Sequence, residues 1–132
     1  MSDRVLKSPE EIHPAPGFNH IAIAPVGRIV CLAGQVALSP SFELIGGDDL
    51  TTQTTAAMGN VEIALKAAGA SWEDVVRRTV YTTAPTEYEA ITAGIEAVTG
   101  DAPHPPQTIV GVTGLAVPGL LVEIEVTAVL GS

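Results

Sequence analysis

Two glutamates one residue apart, Glu123 and Glu125, stand in the most regular alternation of the chain, Val122-Glu123-Ile124-Glu125-Val126-Thr127-Ala128. In an extended strand residues i and i+2 share a face. Both carboxylates therefore point one way with Thr127, and Val122, Ile124, Val126 and Ala128 point the other. A carboxylate on such a face can act as a general base or position a water; it can equally be an acid hydrogen-bonded at a subunit seam. Other chemistry-bearing side chains are few. His20 lies in a short apolar run and reads as a surface or packing residue, and His13 and His104 lie in proline-rich loops. No His/Asp/Glu spacing matches a metal site, so neither a metal nor a cofactor is expected. Cys31 is the only cysteine, which rules out an intrachain disulfide and a thiolate cage. It alternates with Ile29 and Ala33 and reads as a small buried apolar residue.

Charge narrows the partners. Fifteen acids against six bases give a net charge of −9, and no basic cluster is longer than Arg77-Arg78. Such a field repels phosphate backbones, so nucleic acid is a poor partner. The polar start Met1-Ser2-Asp3-Arg4 is not followed by an apolar signal segment, and no apolar run approaches the roughly 18–20 residues needed to cross a bilayer. A cytoplasmic protein without membrane contact is expected. Hydrophobic residues make up 46% of the 132, enough for one core, while charged residues make up only 16%. Ordinary soluble domains carry about 25% charged residues. The shortfall suggests apolar surface hidden between subunits.

These side chains have to be positioned by short elements. Residues 1–17, with Pro9, Pro14, Pro16 and Gly17, read as an irregular lead-in to a single domain over 18–132. His20–Ala24 and Arg28–Val36, separated by Pro25-Val26-Gly27, suggest a hairpin. Asp48 and Asp49 offer N-capping chemistry to a helix from Leu50 to Ala70, in which Thr54, Met58, Val61, Leu65 and Ala68 form one stripe. Val75–Thr83 is β-branched and predicts a strand. A second helix runs from Glu87 to Val98 and stops at Gly100; Thr108–Thr113 and Leu120–Leu130 are the last strands. The order ββαβαββ predicts an α+β fold, a mixed sheet backed by two helices on one face. The other face, which bears Glu123 and Glu125, is left for a partner or a ligand.

In this order the elements resemble the RidA/YjgF family over roughly residues 18–130. The resemblance rests on Ala33-Gly34-Gln35, on Gln53…Asn60 with Ala67-Ala68-Gly69, on Asp74-Val75-Val76…Thr79-Val80, and on Val122-Glu123-Ile124-Glu125. It implies a chorismate-mutase-like fold that forms a homotrimer, with small-molecule clefts between neighbouring subunits. In the family's enamine/imine deaminases an arginine in a Pro-x-Arg-Ser stretch grips the substrate carboxylate. Here the stretch is Pro105-Pro106-Gln107-Thr108, and Gln107 stands in the arginine's place. A guanidinium grips carboxylate bidentately with charge assistance, whereas an amide offers one neutral donor edge. Carboxylate binding should weaken by roughly one to two orders of magnitude or more.

Other departures accompany it. The family's cleft serine is Ala33, its tyrosine is Phe18, its second-helix asparagine is Thr92, and the small or thiol residue two after the arginine is Ile109. Gly34, Glu123 and the Gly111-Val112-Thr113-Gly114 segment are retained. The resemblance thus implies substrate contacts from Gln107, Phe18, Ala33, Gly34, Thr92 and Ile109 and a catalytic Glu123. An enzyme acting on an imine, enamine or related carbonyl compound is one reading. A trimer that only binds such a metabolite is the other.

Overall fold

The computed structural model describes residues 3–132. Seven strands and two helices follow in the order β1 (Val5–Lys7), β2 (Ile21–Ile23), β3 (Gly27–Cys31), β4 (Gln35–Val36), α1 (Leu50–Ala67), β5 (Val75–Thr82), α2 (Tyr88–Thr99), β6 (Gln107–Gly111) and β7 (Val122–Gly131). The main sheet runs β3-β7-β5-β6, with β4 pairing on β7 beyond β3. β5 and β6 are parallel, and every other pairing is antiparallel. This is the α+β architecture expected, a mixed sheet with both helices on one face.

The alternation of β7 holds. Val122, Ile124, Val126 and Ala128 are buried, and Glu123, Glu125 and Thr127 between them are half-exposed. The buried set meets Met58, Val61 and Leu65 of α1 and Ile91 and Ile95 of α2 in one apolar core. At about 25 cal/mol per Å² of apolar surface removed from water, this layer is the main stabilising contribution to the fold. Asp49 caps α1 through its carboxylate, which accepts from the Thr52 amide at 2.8 Å.

Two expectations are corrected. The run 28–36 is not one strand but β3 and β4, and the residues before it make no hairpin with it. β2 pairs with β1, while β3 pairs with β7. The turn Pro25-Val26-Gly27 is a change of direction between two sheets, because β7 offers β3 a long buried partner that β2 cannot. The lead-in, in turn, is not wholly irregular. β1 lies within it, and Arg4 beside it donates to the backbone carbonyls of Val75 and Pro103. A polar N-terminal segment with prolines gave no periodicity from which those tertiary tethers could be read.

Candidate functional site

Gln107 and Ile109 lie on β6, the edge strand, opposite Arg78 and Val80 of β5. Arg78 and Val80 are buried on the helix side, so Gln107 and Ile109 face that side too. The lead-in closes over them. Asn19 donates twice to the segment before β6, its backbone amide to the Pro105 carbonyl at 3.2 Å and its side-chain Nδ2 to the His104 carbonyl at 2.7 Å. Gly17 is in the left-handed region at φ 75° and lies against Thr92, so close that a Cβ would come within 3.0 Å of the Thr92 hydroxyl. These contacts fix Phe18 beside Thr92. The result is a cleft of about 570 Å³ walled by Phe18, His20, Pro85, Thr92, Gln107 and Ile109. His20, expected only to pack, does so in the wall itself: its ring meets Phe18 edge to face at 5.3 Å, and its Nε2 lies 2.8 Å from the His13 carbonyl.

Four of the six expected binding residues, Phe18, Thr92, Gln107 and Ile109, therefore share one cleft. Ala33, Gly34 and Glu123 do not join them. Glu123 pairs with Tyr81 of β5 and with Val36 of β4, and it projects from the opposite sheet face. Its carboxylate lies over the Gly34 backbone: a Cβ there would come within 2.1 Å of the Glu123 Oε2, so a larger residue would make the Glu123 side chain move aside. Among the described residues no hydrogen bond or ion pair engages that carboxylate. Glu125, by contrast, accepts from the Tyr81 hydroxyl at 2.6 Å. That bond, before partial burial and the two nearby carboxylates, pushes the Tyr81 phenol above its ordinary pKa. Cys31 is exposed on this face, opposite Thr127, rather than buried as expected. Val30 of β3 packs on the helix-backed core, so Cys31 and Ile29 point to the other face, where Ile29 is also exposed.

The residue that sequence reasoning missed is Arg78. It is 2% exposed. Its Nε donates to Gln107 Oε1 at 2.6 Å, and its Nη2 donates to the Gly17 carbonyl at 3.1 Å and reaches His104 Nδ1 at 3.2 Å. A guanidinium has no acceptor, so His104 Nδ1 must accept and its Nε2–H must donate onward to Glu96 at 2.8 Å. Burial draws the Arg78 pKa down to about 10, opposed by Glu96; at neutral pH the group remains a cation. Arg77-Arg78 reads in sequence as a surface dipeptide. Yet alternation with Val80 and Thr82 already puts Arg78 on the core face, and that was the available signal. So although position 107 is not an arginine, an arginine stands directly behind it.

A mixed sheet with two helices on one side is the fold this chain shares with known small α+β proteins. A family profile described as Endoribonuclease L-PSP matches residues 8–130. The chain belongs to this family, the RidA/YjgF family. It is 30% identical over 131 residues to a RutC family protein of Synechocystis sp., covering 98% of each chain. A Rid family protein of unknown function from Yersinia pestis superposes with a TM-score of 0.89 at 39% identity, over 97% of this chain and 99% of that one. RidA from an Antarctic Psychrobacter superposes with a TM-score of 0.69 at 26% identity, over 94% of each chain.

Proposed function

We propose that this protein is an enzyme of the RidA type that acts on a small imine, enamine or related carbonyl metabolite, by hydrolysis, deamination or tautomerisation, in clefts between the subunits of a homotrimer. One observation carries the reading. The expected site residues separate into two sets on opposite faces of one sheet, Phe18, Thr92, Gln107 and Ile109 on one and Ala33, Gly34 and Glu123 on the other. A single chain cannot bring them around one ligand; a neighbouring copy that sets its Glu123 face against the β6 edge can. In that arrangement Glu123 supplies the base, unpaired in the lone chain, and Gln107 supplies a donor for the substrate. The low charge content and the exposed Ile29 and Cys31 on the Glu123 face fit such burial.

Against 2-imino acids the activity should be weak, because no guanidinium lies in the cleft to take the carboxylate bidentately. The absence of hydroxyls at Phe18 and Ala33 favours the alternative, a trimer that binds such a metabolite without turning it over. An endoribonuclease role fits poorly with a net charge of −9. In the expected cytoplasmic setting a small metabolite is the natural ligand, and no helix among the described residues is long and apolar enough to cross a membrane. The test is Glu123→Gln, read by turnover and by solution mass together. Loss of turnover with three chains still assembled supports the enzyme. Unchanged turnover of a true substrate in an intact trimer removes Glu123 from the chemistry and leaves the binding reading.

A further inference from the structure

The contact behind Gln107 fixes more than a packing arrangement. Amide oxygen and nitrogen differ in what they can do, and Arg78 decides between them. Because Arg78 Nε only donates, the atom 2.6 Å from it must be the Gln107 oxygen. The Nε2 hydrogens of Gln107 are then turned away from Arg78, and among the described residues nothing accepts them. That nitrogen is not among the buried, unpartnered polar atoms, and Gln107 lines the cleft. The nitrogen is thus open to solvent, and the cleft is the space that Gln107 lines. The charge behind Gln107 is desolvated, since Arg78 is buried; among the described residues no carboxylate lies within ion-pair distance of the guanidinium, and Glu96 is reached through His104. A hydrogen bond from a cation to an amide oxygen withdraws electron density from the amide and makes its N–H groups stronger donors.

We propose that Arg78 is a positioning residue that turns the Gln107 amide hydrogens into the cleft and lends them its charge, so that the pair acts as a relayed cation for a ligand oxygen, carbonyl or carboxylate. This rests on the preceding reading of the cleft as the ligand site. The relayed grip has one donor edge where a direct guanidinium has two, so it is weaker, and it favours an oxygen that carries or gains negative charge. The same guanidinium ties down the Gly17 carbonyl, so the Phe18 wall and the donor are set by one residue.

The experiment follows the Gln107 side-chain amide by nitrogen-15 NMR in the intact protein, in the wild type, Arg78→Lys and Arg78→Met. Lysine keeps the charge but loses the fork; methionine keeps most of the volume, which leaves a folded variant available if one of the two is unstable. Without ligand, the wild-type amide should be ordered and should become mobile in both variants. Propionate and propionamide then serve as probes for anionic and neutral oxygen. Both should shift the amide, propionate the more, and Arg78→Met should weaken propionate binding about tenfold. In a Gln107→Met background that effect of Arg78→Met should largely vanish, whereas a purely structural arginine would cost the same in either background. An amide already mobile in the wild type, or equal losses in both backgrounds, overturns this inference alone. An ordered amide that ignores both probes overturns the reading of the cleft itself, and the ligand role of Arg78 with it.

Discussion

The β6 edge and the β7 face are built on opposite plans. At the edge, polar atoms are held by one another: Arg78 holds Gln107, Gly17 and His104, and His104 holds Glu96. One donor edge, the Gln107 amide, is left for a ligand. On the β7 face Tyr81 holds Glu125, but the carboxylate of Glu123 is left open above Gly34. One region thus offers a fixed donor without a carboxylate, and the other an open carboxylate without a fixed donor. Each is incomplete alone, and the two are complementary. The contrast teaches that the two halves are preorganised separately, each by contacts of its own within one chain; the proposed interface cleft would join them.

The largest expected effect falls on the open half. Replacing Glu123 by Gln keeps the volume and removes the charge, and general-base loss costs about 10²–10⁴-fold in rate. Steady-state turnover, with solution mass as the control for assembly, checks it. Binding of a neutral ligand should survive, because the amide still hydrogen-bonds.

The next effect tests whether the donor half is a unit. Gln107→Arg alone would set a second guanidinium against Arg78, where the two repel in a buried setting. Its melting temperature should fall, and turnover of a 2-imino acid should gain little. Combined with Arg78→Met, the new arginine is relieved of that repulsion, and turnover should rise about tenfold over the wild type. A single Gln107→Arg variant as active as the double one would show that Arg78 and position 107 do not interact. Recovery should stay partial, since Phe18 and Ala33 still lack hydroxyls.

The smallest effect concerns the Tyr81–Glu125 bond. The folded phenol titrates above its ordinary 10.0, so the bond's contribution to stability is complete below that value and is lost as pH rises through the raised one. In a Tyr88→Phe background, the phenolate absorbance of Tyr81 should appear above pH 10. Glu125→Gln should move it back down. An unmoved transition would mean that Glu125 does not hold the hydroxyl.

Much of the fold was legible because periodicity and caps agree. The β7 alternation, the α1 stripe from Thr54 to Leu65 and the Asp49 cap all follow from local pattern and were met in the structure. What local pattern could not give was pairing at long range. β3 found its partner about a hundred residues later, and β1 gained its place from Arg4 tethers and from β2. In the site, Phe18, Thr92, Gln107 and Ile109 were named in sequence, and the structure brings them together. Arg78 was overlooked because a basic dipeptide is usually solvated, and a buried cation announces itself only when its neighbours' faces are counted. His104 and Glu96 join it through contacts that no spacing in sequence encodes.

The central claim is that the two halves meet across neighbouring copies of the chain, and a cross-link tests it most directly. In a Cys31→Ser background, one chain would carry Ile109→Cys on the cleft and a second, distinguishable in size, Ala33→Cys on the Glu123 face. After co-refolding, a short thiol-reactive linker should join the two different chains, while Ile109→Cys alone should give no cross-linked pair. Failure to join them, with both thiols reactive and the chains assembled, would contradict the account, as would efficient linking of the two positions within one isolated chain.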